Sequence, residues 1–155
     1  DSGAFDTFIL SDGMIGDSLT DAFGKSLNKS FGSLPGSTGK GAGVFTKVAK
    51  AAGIDSSGPY TGESYDAAAL IVLAMQAGGS ADRGSIAKNV MAVANGPGKK
   101  IYPGELKKAL DLLAKGKAVD YEGATGVVFT KVGEAEGSFL EKEIKYGKFK
   151  TKKQR

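Results

Sequence analysis

With no His and no Cys among 155 residues, any chemistry in this chain falls to Asp, Glu, Ser, Thr, Lys and Tyr. That excludes imidazole-based triads, imidazole or thiolate metal sites, disulfide frameworks and His-based general acid–base catalysis. Carboxylate, lysine and phosphate-loop strategies remain open. Asp12, Asp17, Asp66 and Glu122 could supply the two carboxylates that cleave a glycosidic bond. Each also has a structural use as a turn or cap residue, and that use is the expectation. A phosphate-binding loop needs Gly, four residues, then Gly-Lys-Ser/Thr, because backbone N–H groups must wrap the phosphates while the hydroxyl takes Mg²⁺. "LTDAFGKS" ends in Gly24-Lys25-Ser26 but has Leu19 where the first Gly belongs. "LPGSTGKG" has Gly39-Lys40, with Leu34 at the first position and Gly41 in place of the hydroxyl. Neither completes the loop, so a phosphate-handling enzyme using Lys25 or Lys40 stands only as the alternative from a different class. No metal and no cofactor is expected.

Two other groups of residues suit ligand binding better than catalysis. Asp12 follows "FILS" directly, which puts a carboxylate at the carboxyl end of an expected parallel strand, where open α/β sheets bind ligands. It can accept a charge-assisted hydrogen bond from an ammonium group; an Asp-Gly turn with no ligand accounts for it equally well. In "YTGESYDAAALIVLAMQAGG" Tyr60 precedes a long apolar helix and Tyr65 lies one turn inside it. Aromatic rings beside a cleft give an apolar wall with a hydroxyl handle, although an isolated Tyr is more commonly core or surface. Glu63 and Asp66, near the helix start, are accounted for by the helix dipole alone.

Elements that would position these residues follow from periodicity. "FDTFILS" reads as a buried strand over residues 5–11, and Leu19, Ala22, Phe23 and Leu27 space a helix over 18–29. "SFGSLPG" is a second strand, leading through a Gly-rich connection to a helix with Val44, Val48 and Ala51 inward and a stop at Gly53. Further helices are expected at 61–77, 85–94 and 103–115, the last opened by Pro103 at a position where its missing N–H costs nothing. "AVDYEG", "GVVFTK" and "SFLEKEIKY" read as short strands. This alternation, with an antiparallel-looking end, predicts an α/β sandwich with mostly parallel sheets. The formal charge of +4 comes from the end of the chain: without Lys145, Lys148, Lys150, Lys152, Lys153 and Arg155, 15 basic residues face 17 acidic ones. Those last residues read as a solvated basic tail, with no nucleic-acid partner expected. The apolar run from Ala67 to Ala77 is too short to span a membrane. The start at Asp1-Ser2-Gly3 lacks the basic stretch and apolar core of a secretion signal, so a signal is expected to be absent or removed.

As a set, "FILSDG", "PYTGESYDAAALIVLAMQAGGS" and "AVDYEGATGVVFTKVGEAEGSF" resemble the C-terminal half of the periplasmic substrate-binding proteins of branched-chain amino-acid ABC transporters, up to about Tyr146. The resemblance implies a type I periplasmic binding fold of two α/β lobes, and a non-enzymatic, solute-binding subunit that binds an amino acid or related small molecule by lobe closure and delivers it to a membrane permease. It implies a periplasmic, or extracellular and lipid-anchored, location. A ligand-sensing regulatory module of the same fold is the alternative. Residues 1–58 would belong to the second lobe, 59–119 would be first-lobe helices, 120–146 the crossover and terminal strands, and 147–155 the basic tail. Asp12 matches the residue that holds the ligand ammonium and Tyr60 the aromatic near the ligand side chain, with Met14 and Glu63 lining the cleft. The groups that hold the ligand carboxylate lie in an N-terminal portion outside this chain, which therefore reads as a fragment or cleavage product. That portion, or another chain, is expected to cover the apolar stripes of the first-lobe helices, since each exposed Leu, Val or Ile would forgo about 1.5–3 kcal/mol.

Overall fold

A computed structural model describes residues 3–37 and 39–154. The chain start read for a secretion signal, Thr38 of the second Gly-Lys stretch and Arg155 of the basic end lie outside the described residues. The elements run β1 (Ile9–Leu10), α1 (Asp17–Phe23), β2 (Phe31–Gly36), α2 (Lys40–Ala51), α3 (Thr61–Gly78), α4 (Arg83–Ala94), β3 (Lys99–Ile101), α5 (Leu106–Ala114), β4 (Val119–Tyr121), β5 (Val128–Phe129), β6 (Ala135–Glu136), β7 (Ser138–Lys145) and β8 (Lys148–Gln154), with 3-10 turns at Asp12–Met14 and Gly24–Leu27. The architecture is α/β, with parallel pairing in β1–β2 and β3–β4. Antiparallel pairing occurs in β5–β6 and β7–β8, the end expected from the sequence, and also between β2 and β7, so the sheets are mixed. Two compact units divide the chain, Asp1–Gly36 with Ser138–Arg155 and Ser37–Gly137; residue 58 falls inside the second.

In the first unit the strands are ordered β1-β2-β7-β8. Leu10, Ile15, Leu34 and Ile144 form its core, with Leu19, Leu27, Leu140 and Phe149 packed against them. The strand expected over 5–11 is regular only at Ile9–Leu10, although Phe31 N–H still donates to Phe8 C=O at 3.0 Å and Phe8 N–H to Ser30 Oγ at 3.1 Å. The helix expected over 18–29 is broken at Gly24, whose φ of 52° leaves the helical region. Residues 148–154, read as a solvated tail, are a strand. Two features build it: Phe149 pairs with Ile144 on the core side, and Tyr146-Gly147 turns the chain with φ of 56° and 73°, the signs a tight hairpin turn requires.

The second unit is centred on α3, which buries Ala69, Leu70, Leu73 and Ala74 against Val93 and Ala94 of α4, Ala109 of α5, and Ile101, Val119 and Tyr121 of β3 and β4. The latter two strands are parallel, joined through α5 as a strand-helix-strand unit. β3 is not among the strands expected from the sequence; its buried Ile101 pairs with Tyr121 and makes it one. α5 starts at Leu106 and not at Pro103, because Gly104 has φ of 84° and Glu105 turns its carboxylate back to accept from Tyr102 N–H at 3.0 Å. α2 begins at Lys40 and docks through Phe45 and Ala49 on Ala124 and Tyr65. Asn95 brackets β5, donating to Phe129 C=O at 2.6 Å and accepting from Phe129 N–H at 2.9 Å.

Candidate ligand-binding residues

Asp12 stands two residues past β1, at the carboxyl end of a strand in a parallel pair, which is where the sequence puts it. It opens the Asp12–Met14 turn: Met14 N–H donates to Ser11 C=O and Ile15 N–H to Asp12 C=O, both at 3.0 Å. Its carboxylate is exposed and accepts from Gly13 N–H at 2.7 Å. Met14 is brought beside it and lines an apolar cavity of about 630 Å3 with Phe8, Leu10, Leu19 and Phe23. Asp12 itself is not among the residues that line this cavity.

In the second unit, Tyr60 occupies the position before α3 with φ of 62°, an uncommon conformation for a residue with a Cβ. Its C=O accepts from Ser64 N–H at 2.9 Å. Tyr60 lines a cavity of about 320 Å3 with Phe45, Val48, Ile54 and Tyr65. Glu63 is half-buried in the first turn of α3, so the structure groups it with Tyr60 at one helix start. Tyr65 serves packing: its ring lies 5.3 Å from that of Phe45, and its hydroxyl accepts from Gly104 N–H at 3.0 Å.

Asp66 holds the most constrained side chain of this helix start; the sequence offers it as a cap or dipole residue or as one of a carboxylate pair, and the structure gives it a different task. It is buried, and its carboxylate accepts from Tyr121 O–H (2.8 Å), Ala124 N–H (2.7 Å), Thr125 N–H (2.8 Å) and Thr125 O–H (2.8 Å). These bonds tie the segment after β4 to α3 and occupy both carboxylate oxygens. A Cβ at Gly123 would run into this carboxylate, and its φ of 60° also asks for glycine. Burial, with the Asp66 charge adding to it, pushes the Tyr121 phenol far above its ordinary range. The available signal was Asp66 itself, one turn ahead of Leu70 and two ahead of Leu73 on the same face: a carboxylate there must find donors elsewhere in the chain.

The other candidates have structural employment too. Asp17 opens α1, and Glu122 bonds to Lys100, holding that ammonium's pKa above its usual value. Lys25 sits in a 3-10 turn, while Lys40 starts α2 with its ammonium 4.5 Å from the centre of the Tyr102 ring. Among the described residues no cluster of three metal-ligating side chains occurs, and no helix is long and apolar enough to cross a membrane.

The fold has a counterpart among solved structures. A leucine-binding protein, LivK, from Thermotoga maritima superposes with a TM-score of 0.64 over 96% of this chain at 18% identity. The chain has part of a periplasmic-binding-protein fold. It covers 37% of that solved chain, as the resemblance read from the sequence implies for a partial fold. The chemotactic signal transduction system substrate-binding protein BasB of Halobacterium salinarum is 40% identical over 70 residues, which are 45% of this chain and 17% of that protein. No protein-family model matches the chain. Both similar proteins are named for binding and neither for catalysis. Within the periplasmic-binding-protein fold, Asp12 and Met14 belong to one compact unit and Tyr60 and Glu63 to the other.

Proposed function

We propose that this chain is part of a non-enzymatic solute-binding protein that takes an amino acid of the branched-chain type, or a related small molecule, and hands it to the permease of an ABC importer. The observation that carries this reading is Asp12, a carboxylate just past the carboxyl end of a parallel strand in a periplasmic-binding-protein fold. In the first unit Asp12 would hold the ligand ammonium with Met14 as an apolar neighbour; in the second, Tyr60 and Glu63 at the start of α3 would be ligand-contacting residues. The whole protein would bind by lobe closure, the ligand favouring the closed form through contacts made only there. It would work in the periplasm, or outside the cell on a lipid anchor, with no nucleic-acid partner. Ile71 and Val72, exposed on α3, would be covered by a longer protein's N-terminal portion or by another chain.

Calorimetric titration of leucine, isoleucine and valine into the longer protein of which this chain is part tests this. We expect one of them to bind, and Asp12→Ala to weaken it several-fold to hundreds-fold, in line with about 1–3 kcal/mol for a charged hydrogen bond. Unchanged affinity in the variant removes Asp12 from the site, and no binding at all removes the reading. A second reading, a ligand sensor that signals through a partner, is favoured by the likeness to the halobacterial chemotactic protein. Uptake of labelled amino acid and the tactic response, each measured in cells lacking the protein, separate the two.

A further inference from the structure

We propose that the open edge of β8 is a docking edge that takes an acidic, extended segment of a partner protein as an added strand. β8 ends its sheet, so along Lys148–Gln154 one side has no strand partner among the described residues. Its register with β7 runs Lys145↔Lys148, Ile144↔Phe149, Glu143↔Lys150 and Lys142↔Thr151. In a hairpin with a two-residue loop, the pair next to the turn exchanges both backbone hydrogen bonds, and bonded and unbonded pairs alternate from there. The backbone N–H and C=O of Phe149 and Thr151 therefore point outward, at a spacing that an extended chain matches.

Charge decides which chain. β8 carries Lys148, Lys150, Lys152 and Lys153, all exposed, and no acid. Glu141 takes Lys152 at 3.4 Å and Glu143 takes Lys145 at 3.2 Å. Lys148, Lys150 and Lys153 form no ion pair among the described residues. Lysines on an edge repel another basic strand, so a second copy of β8 is disfavoured. The same lysines attract Asp and Glu placed across from them on an incoming strand. Phe149, packed with Ile144, holds the edge in place beforehand and lowers the ordering cost of docking. A nucleic acid or an anionic lipid could use the lysines but not the outward backbone groups, so the observations favour a polypeptide.

Fluorescence anisotropy with a short fluorescein-labelled peptide of alternating Glu and Val tests the proposal on the 155-residue chain. We expect binding that falls at least about tenfold in the Lys148→Gln, Lys150→Gln, Lys153→Gln variant and in Thr151→Pro, which removes an outward N–H. The same peptide N-methylated at alternate backbone amides keeps its charge and leaves the protein untouched; it should bind at least about tenfold more weakly. Equal binding of the methylated peptide, no binding of either peptide, or tighter binding of phosphatidylglycerol vesicles or single-stranded DNA overturns the proposal. Leucine affinity does not enter this test, so its result is independent of the amino-acid-binding reading.

Discussion

Asp66 is a charged residue on the apolar face of a helix, and its four hydrogen bonds make it a structural clamp. Asp66→Ala strands the Tyr121 and Thr125 hydroxyls and two backbone N–H groups inside the fold, and should cost about 3 kcal/mol or more in urea unfolding. Tyr121 extends the argument to pH. Its folded pKa lies above the ordinary phenol value of 10.0. Below that value both folded and unfolded forms hold the proton, and the stabilising contribution is complete. Above it the unfolded chain releases the proton while the folded chain keeps it, so stability falls with rising pH by at most about 1.4 kcal/mol per unit. In an absorbance titration, one of the five tyrosines should ionise only as the protein unfolds, and Tyr121→Phe should remove that step.

Helix α3 is apolar nearly all round, so its pattern alone does not say which side is the core. Packing does: Leu73 is fully buried, while Ile71 is 48% and Val72 44% exposed. Leu73→Ala should cost about 2–5 kcal/mol and Ile71→Ala well under half of that, measured by the same unfolding curves. At α2 the constraint is clearance. Gly41 is buried so close to the chain at Gly123 that an added Cβ would strike the Gly123 carbonyl oxygen. Gly41→Ala should therefore lift the start of α2, lowering the melting temperature although alanine is the better helix former.

The two compact units use the chain differently. The second is one continuous stretch with its own core, whereas the first joins Asp1–Gly36 to Ser138–Arg155 and needs Ile144 from the far end. Ending the chain at Gly137 should therefore abolish hydrogen-exchange protection at Leu34 and its neighbours in β2. Amides of α3 and α5 should stay protected, because none of their buried partners lies beyond residue 137. Loss of protection in both places would show that the second unit depends on the first for its stability.

Three helices were legible because each repeats an apolar residue at its own period, Val48 in α2, Val90 in α4 and Leu110 in α5, and α3 was legible because its apolar run is too long for a strand; α1 was legible only in part, since it ends at Phe23. The same held for the position of Asp12, since a strand, a turn and an acid are written side by side. β3 and β8 were not legible, because each is short or charged and becomes a strand through a residue far off or across a turn, Tyr121 for Ile101 and Ile144 for Phe149. The purpose of Asp66 was hidden for the same reason, as its donors lie 55 to 59 residues away. By itself the sequence determined the absence of imidazole and thiol chemistry, the helices and the resemblance to a binding protein. Only the tertiary structure decided which carboxylate is spent on the fold, Asp66, and which is exposed at a strand end, Asp12, because hydrogen bonds between distant segments depend on spatial proximity that local periodicity does not encode.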